Sequence, residues 1–386
     1  MSYATQKKEG DEKNRIYPDD LPVHEWYRFV LSYPPHLVRI YLDEFNLTSQ
    51  DRVLDPFCGT GTTIIECKKQ GIPSVGFERM PVVHFAASTK ANWDVSPKGL
   101  MQHAQEVSDA TKALLEEEGV KDDPIFEPLD DSPSDLRTVS ESKDRLLIKD
   151  SMCPGPMHKV LVLQEKMEEL RDDQYWNHER LALAKELVYT ISNLRFGPEV
   201  GVSQKKKKRG NRPVVKPWLQ AVKSISEDLE IVQNRKGVPS EVRLADSRSI
   251  AEELEPNSVD AVITSPPYPN EKDYSRTVRL ESVMLDFMTD RSELQEQKKG
   301  LIRSNTRGVY VDDEDDKWID DFPQVKELAD KIEAKRKELG KTSGFEKYYH
   351  RVVRLYFGGM TRHLKDLRVA LRPGAKLAYV VGDQAS

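Results

Sequence analysis

The sequence predicts an α/β protein built on a doubly wound, mostly parallel sheet, and three observations carry that prediction. Residues 51–93 read strand, glycine-rich turn, helix, strand, helix. Two further apolar strands follow one another across 240–264. The chain then passes through a long helix into one more strand near residue 380. Short apolar strands alternating with helical periodicity belong to parallel βαβ units, not to hairpins.

The elements follow in order. Residues 1–20 are polar and expected to form a flexible N-terminus. Tyr33-Pro34-Pro35 breaks the chain, and residues 36–47 then carry apolar side chains at helical spacing. Residues 51–55 read as a buried strand, 64–71 as a helix stopped by Gly71, 73–79 as a second strand and 82–93 as a second helix. The alternation then stops. Residues 99–235 hold helical stretches and few strand signals, so they read as a mainly helical insertion. The sheet resumes at 240–249 and 258–268. A second insertion (276–344) carries an acidic run and a helix-favouring stretch at 325–340. A long helix at 345–371 is turned by Arg372-Pro373-Gly374 into a strand over 375–383. The sheet domain is therefore assembled from 21–98, 236–275 and 345–386.

Composition narrows the class. With 38% hydrophobic residues a packed core can form, yet no window approaches the roughly 18 consecutive apolar residues of a membrane helix. The first residues lack the apolar segment of a secretory signal. Cys58, Cys67 and Cys153 cannot make a disulfide framework, and no Cys/His spacing suggests a metal site. A reduced, cytoplasmic protein is expected. The net charge of −6 conceals an asymmetry: between 200 and 222 there are seven cations (Lys205, Lys206, Lys207, Lys208, Arg209, Arg212, Lys216) and no acid, whereas 312–316 is entirely acidic. Both runs read either as solvated loops or as partner surfaces.

The first chemical constellation is Asp55-Pro56-Phe57-Cys58-Gly59-Thr60-Gly61-Thr62, an acid closing a strand before a glycine turn and a helix N-terminus. No G-K-[ST] follows, so this is not a phosphate loop, and an aspartate at its head suits a ligand amine better than a phosphate. Glu78 ends the next strand about 20 residues on, where doubly wound folds place an acid for ribose hydroxyls. Asp246 ends the strand after that and could accept from an adenine amine. Three acids at successive strand ends describe a nucleoside site without phosphate, against the plainer reading of caps and turn formers.

The second constellation is Thr264-Ser265-Pro266-Pro267-Tyr268, directly after an apolar strand. Two prolines fix the backbone and remove local N–H donors. The serine and the carbonyls then form a hydrogen-bonding shelf with an aromatic lid, suited to a planar ring bearing an exocyclic amine.

Together, DPFCGTGTT and TSPPY resemble the motifs of the S-adenosylmethionine-dependent amino methyltransferases of DNA, with the Ser-Pro-Pro-Tyr form similar to the N4-cytosine members. The segment 24–29 (His24-Glu25-Trp26-Tyr27-Arg28-Phe29), with Tyr33-Pro34-Pro35, is similar to the stretch that in this family packs near the methionine end of the cofactor. The resemblance implies a Rossmann-like class I methyltransferase fold, S-adenosyl-L-methionine as cofactor and duplex DNA as partner. It also implies roles. Asp55 would hold the methionine amine; Pro56, Phe57, Gly59, Gly61, Thr62 and Tyr27 would line the cofactor site; Glu78 would bind ribose and Asp246 adenine. Ser265, Pro266, Pro267 and Tyr268 would hold a cytosine flipped out of the duplex. No Pro-Cys dipeptide of the C5-cytosine type occurs, and Cys58 reads as small packing material.

The resemblance further implies target recognition in the gap between the motifs, so Lys205, Lys206, Lys207, Lys208, Arg209 and Arg212, with Trp218 beside them, are expected phosphate contacts, as are Arg276 and Arg303. A cognate restriction enzyme is an implied partner. Family sheets end in an antiparallel hairpin that this sequence lacks, so the expectations include a fragment, a second chain supplying those strands, or a non-catalytic binding module. An adenine-N6 DNA enzyme and an RNA amino methyltransferase are the alternative activities.

Overall fold

The computed structural model describes residues 17–27, 32–122, 135–195, 200–208, 210–269 and 272–381. Arg28, Phe29, Arg209 and the last residues, 382–386, lie outside them. The expected architecture is present. After α1 (Pro35–Glu44), the strands β1 (Val53–Asp55), β2 (Ser74–Glu78), β3 (Ser240–Leu244), β4 (Val259–Thr264) and β5 (Leu371–Tyr379) form one sheet in the order β3-β2-β1-β4-β5. Every pairing in it is parallel. The order reverses at β1, which places the β1 and β4 carboxyl ends at the switch point, the usual position of a ligand crevice in an open α/β sheet.

Side chains alternate across this sheet. Val53, Ala261 and Ile263 face Val38 and Leu42 of α1 and Cys67 of α2 (Thr62–Gln70). Leu54, Val75, Phe77 and Val262 face Ile250 and the end of the long C-terminal helix (Tyr349–Ala370), through Leu367 and Ala370. Burial on both faces accounts for the near-continuous apolar runs in the strands. Gly71 ends α2 in the left-handed region (φ +80°), as its position in the sequence predicts.

The helices after α3 (Pro81–Ala91) are not peripheral. They are α4 (Pro97–Glu117), α5 (Pro154–Glu169), α6 (Trp176–Glu186) and α7 (Val215–Val232), and one apolar cluster joins them to Ile64 and Ile65 of α2 and to Trp26 and Tyr27. A two-residue antiparallel ribbon, Leu194–Arg195 with Gly201–Val202, adds a small strand pair to this mainly helical region.

Three expectations need correction. Residues 17–20 are ordered: Pro18–Asp20 is a 3₁₀ turn, and buried Asp20 accepts from Arg39 at 2.6 Å. Arg39 also reaches Glu66 at 2.7 Å, and His24 meets that carboxylate at 2.8 Å, so polar residues read as a frayed end are pinned by an ion-pair network. The last strand starts at Leu371, not after the Arg-Pro-Gly turn, which instead forms an irregularity where the β4–β5 register shifts. The acidic run is no free loop: Asp313 pairs with Arg303 and Asp315 with Arg248, with both aspartates largely buried.

Beside several four-residue turns of helix, the later helices are α8 (Arg279–Met284), α9 (Arg291–Lys299), α10 (Pro323–Glu338) and α11, the C-terminal Tyr349–Ala370. The acidic run crosses α11 at Gly358-Gly359. A Cβ at Gly358 would sit 1.8 Å from the Asp315 carbonyl oxygen, so only glycine permits this approach. Gly358→Ala is therefore expected to lower stability by about 1–3 kcal/mol. Gly237→Ala, whose methyl meets open space, should stay within about 0.5 kcal/mol. Thermal unfolding of the two variants checks this, and equal midpoints would contradict the close crossing.

Candidate active site

β1 and β4 are neighbours in register (Leu54 beside Val262), so the glycine turn and the Ser-Pro-Pro-Tyr segment leave the same edge of the sheet side by side. Asp55 joins them. Its Oδ1 accepts from the Thr264 hydroxyl at 2.5 Å and from the Phe57 N–H at 3.1 Å, and its Oδ2 from the Thr63 hydroxyl at 2.6 Å. Burial raises this carboxyl to about 6, against the opposing pull of those three donors. With no exposed surface, Asp55 offers no open oxygen to a ligand amine. The carboxylate, sealed under its own loop, finds its partners in the fold.

Gly59 (φ +51°) and Gly61 (φ +84°) are left-handed. A Cβ at Gly59 would meet nothing within 4 Å, whereas one at Gly61 would press on Ala87 of α3. Gly59 thus faces open space and Gly61 sets the packing beneath it. Pro56 is buried, and half-buried Phe57 stands edge-on to His363 of α11 at 4.8 Å between ring centroids. Cys58 fills the space left by Gly76, as expected of packing material.

Glu78 caps the turn after β2. Its Oε1 accepts from Met80 N–H at 2.8 Å, and the backbone of Arg79 and Gly59 bonds to the same carboxylate. Burial raises it to about 7. The second acid is thereby tied to the glycine loop. Asp246 behaves differently. Both its oxygens are taken by Arg248, at 2.7–3.2 Å, and Arg248 in turn holds Asp315 at 2.6 Å. The adjacent guanidinium holds the carboxylate, whose side chain stays partly exposed.

At the shelf, Ser265 and Tyr268 are half-buried and their hydroxyls lie 3.1 Å apart, while Pro266 is buried and Pro267 half-buried. Tyr274 packs beside them, its phenol oxygen bonded to the Tyr268 backbone and its pKa pushed by burial up to about 12. Tyr27 does not join the site. Its phenol donates to buried Glu281, which burial raises to about 7. A buried phenol pairs with the nearest carboxyl, here on α8.

The charged candidates divide by exposure. Lys205, Lys207 and Lys208 are exposed, Lys207 pairing with Asp150, and Lys206 is half-buried, bonding the Tyr189 and Leu194 carbonyls. Arg212 is buried, its guanidinium spent on the Thr190, Ser192 and Lys206 carbonyls and on Asn193. Arg303 is likewise buried against Asp313 and three backbone carbonyls. Neither can serve a phosphate. Trp218 is fully buried and bonds the Glu179 carbonyl, so it is core and no stacking surface. Arg276 is half-buried beside Asp273.

Sequence reasoning assigned no role to Thr63, Thr264 and His363. The two threonines lie within the motifs and could have been read as partners for Asp55. His363 bonds the Ser247 carbonyl and the Tyr379 hydroxyl across 2.8 and 2.6 Å, a constellation that only the fold assembles.

Comparison with known proteins agrees with this geometry. Residues 2–87 match the family model described as DNA methylase, of the N6/N4 type. The type II methyltransferase M.BsoBI of Geobacillus stearothermophilus is 28% identical over 313 residues, covering 72% of this chain and 55% of that protein. The chain is thus similar to DNA amino methyltransferases in its first 87 residues and along most of its length. It is also similar to the type II methyltransferase M.AvaI of Nostoc (23% identical, 81% of this chain and 62% of that one) and to M.MjaII of Methanocaldococcus jannaschii (26% over 161 residues, 40% and 30%). The chain thus spans between roughly half and two thirds of the length of the first two of these methyltransferases. No solved structure matches it.

The raised carboxyls fix a pH dependence. A carboxyl whose pKa is higher in the folded state favours folding while protonated, and that contribution is lost as pH rises through the folded value. For Glu78 the loss runs from about 4.5 to about 7. Glu78→Gln should leave stability near wild type at pH 4.5 and exceed it at pH 8 by on the order of 1–2 kcal/mol, once solvent screening at the rim is allowed for. Thermal melts of the two proteins across this range test it; parallel curves would contradict the assignment.

Proposed function

We propose that this chain transfers a methyl group from S-adenosyl-L-methionine to the exocyclic N4 amine of a cytosine in duplex DNA, in the cytoplasm, as the modification arm of a restriction-modification or defence system. The observation that carries the proposal is the seam at Asp55, which sets the open glycine turn and the Ser-Pro-Pro-Tyr shelf at one sheet edge. The type II methyltransferases among its relatives favour double-stranded DNA as substrate and a cognate nuclease as partner.

The cofactor would rest over Gly59, with Glu78 accepting from ribose hydroxyls and Phe57 lining the pocket. When bound it supplies an already activated methyl, so the protein's task is positioning. Cytosine N4 is weakly nucleophilic because its lone pair is delocalised into the ring. The Ser265 hydroxyl and the Pro266 carbonyl would accept its two N–H bonds, favouring a pyramidal nitrogen with its lone pair aimed at the methyl. The Ser265–Tyr268 contact in the free site would give way to this arrangement. Tyr268 would stack on the extruded base, worth roughly 1–3 kcal/mol against a similar unstacking cost. Exposed Lys205, Lys207 and Lys208 are the remaining phosphate candidates of the basic run.

Incubation with labelled S-adenosylmethionine and duplex DNA should yield acid-stable N4-methylcytosine. Ser265→Ala should lower kcat by about 100-fold with little change in cofactor affinity. Recovery of N6-methyladenine alone would overturn the base assignment, methylation of RNA in preference to DNA would overturn the substrate, and cofactor binding without turnover would favour a binding module.

A further inference from the structure

His363, on α11, is fully buried and meets three segments at the carboxyl edge of the sheet. Its Nδ1 lies 2.8 Å from the Ser247 carbonyl, in the turn after β3, and its Nε2 lies 2.6 Å from the Tyr379 hydroxyl at the end of β5. A carbonyl oxygen only accepts, so Nδ1 carries the proton. Burial holds the ring neutral, lowering its pKa to about 4, so Nε2 keeps its lone pair and accepts from the Tyr379 phenol. An imidazole bonded at both nitrogens cannot turn about its own axis. Tyr379 is itself set, because it pairs with Thr264 across β4 and β5, and Val380 donates its N–H to the Thr264 carbonyl at 2.8 Å. The third contact is the ring of Phe57, edge-on at 4.8 Å between centroids with 63° between the planes. Aromatic pairs attract in that arrangement. The Phe57 backbone is held through its N–H to Asp55, whereas its half-exposed side chain takes its rotamer from its neighbours.

We propose that His363 is a positioning residue for methyl transfer, its locked imidazole setting the plane of the Phe57 ring against the methyl donor. The proposal rests on the methyltransferase reading for the ligand, and on the two hydrogen bonds and the ring contact for the device. His363 acts only through Phe57, because its own ring has no exposed surface and both its nitrogens are bonded within the fold. A ring already held in place spares the ligand the cost of immobilising a side chain as it binds. Histidine suits the position because it brings a donor, an acceptor and a ring together. Phenylalanine would supply the ring without the bonds, and glutamine the bonds without the ring.

The test is a double-mutant cycle read by calorimetry with S-adenosylhomocysteine. His363→Gln keeps a donor and an acceptor but removes the ring, so it should weaken binding by about threefold to tenfold while the protein still melts cooperatively. In the Phe57→Leu background the same change should have no further effect. Tyr379→Phe removes one oxygen and releases Nε2, so it carries the same test with the smallest structural change. It should weaken binding in the same direction, and that effect too should vanish in the Phe57→Leu background. In steady-state kinetics His363→Gln should raise the KM for S-adenosylmethionine and leave the KM for duplex DNA unchanged. Equal weakening in both backgrounds, full affinity in His363→Gln, or a rise in both KM values would overturn the positioning role while sparing the methyltransferase reading. Failure of the wild type to bind S-adenosylhomocysteine would overturn both.

Discussion

The carboxylate of Asp55 is the constraint on which the rest of the site depends. It lies at the switch point of the sheet, where two adjacent parallel strands end, and its hydrogen bonds reach the loop after one strand, the helix that follows it and the last residue of the other. A buried acid with three donors is far better placed than one with none, since each lost donor would leave an unsatisfied charge in a low-dielectric setting. The glycine turn and the proline shelf therefore cannot drift apart without breaking bonds to one group.

A second set of ion pairs ties the later insertion to the same edge. Arg248 bridges Asp246, at the end of β3, to Asp315 in the acidic run, and Gly358 lets that run lie directly on α11. α11 in turn presents His363 to Phe57 and Tyr379. The insertion thus braces the sheet edge from which the glycine turn leaves. On the other flank, the His24–Glu66–Arg39–Asp20 network holds the N-terminal segment over α2, with hydrogen bonds to His24 and Arg39 outweighing burial to keep Glu66 at about 2.

Much of this was legible in the sequence. Strand and helix periodicities located the parallel sheet, and the two motifs named the residues that meet at its edge, because both kinds of signal are local. The roles of individual acids were less legible. Asp55, Glu78 and Asp246 occupy equivalent strand ends, yet one is sealed by threonines, one is bonded to loop backbone and one is paired with an arginine two residues on. Which of these happens depends on neighbours brought in from distant segments. The same holds for charge runs: Arg212, Arg303, Asp313 and Asp315 sit in stretches that look solvated, and each is buried because a partner lies across the fold.

The central claim is that one crevice, floored by the Asp55 seam, serves both the glycine turn and the proline shelf. A diffraction structure of the chain soaked with S-adenosylhomocysteine measures this directly. The account predicts ligand density over Gly59, its sulfur directed at Ser265 and Tyr268 within a bond-forming distance of a base on the shelf. Density at another edge of the sheet, or with the sulfur turned away from the shelf, would contradict it.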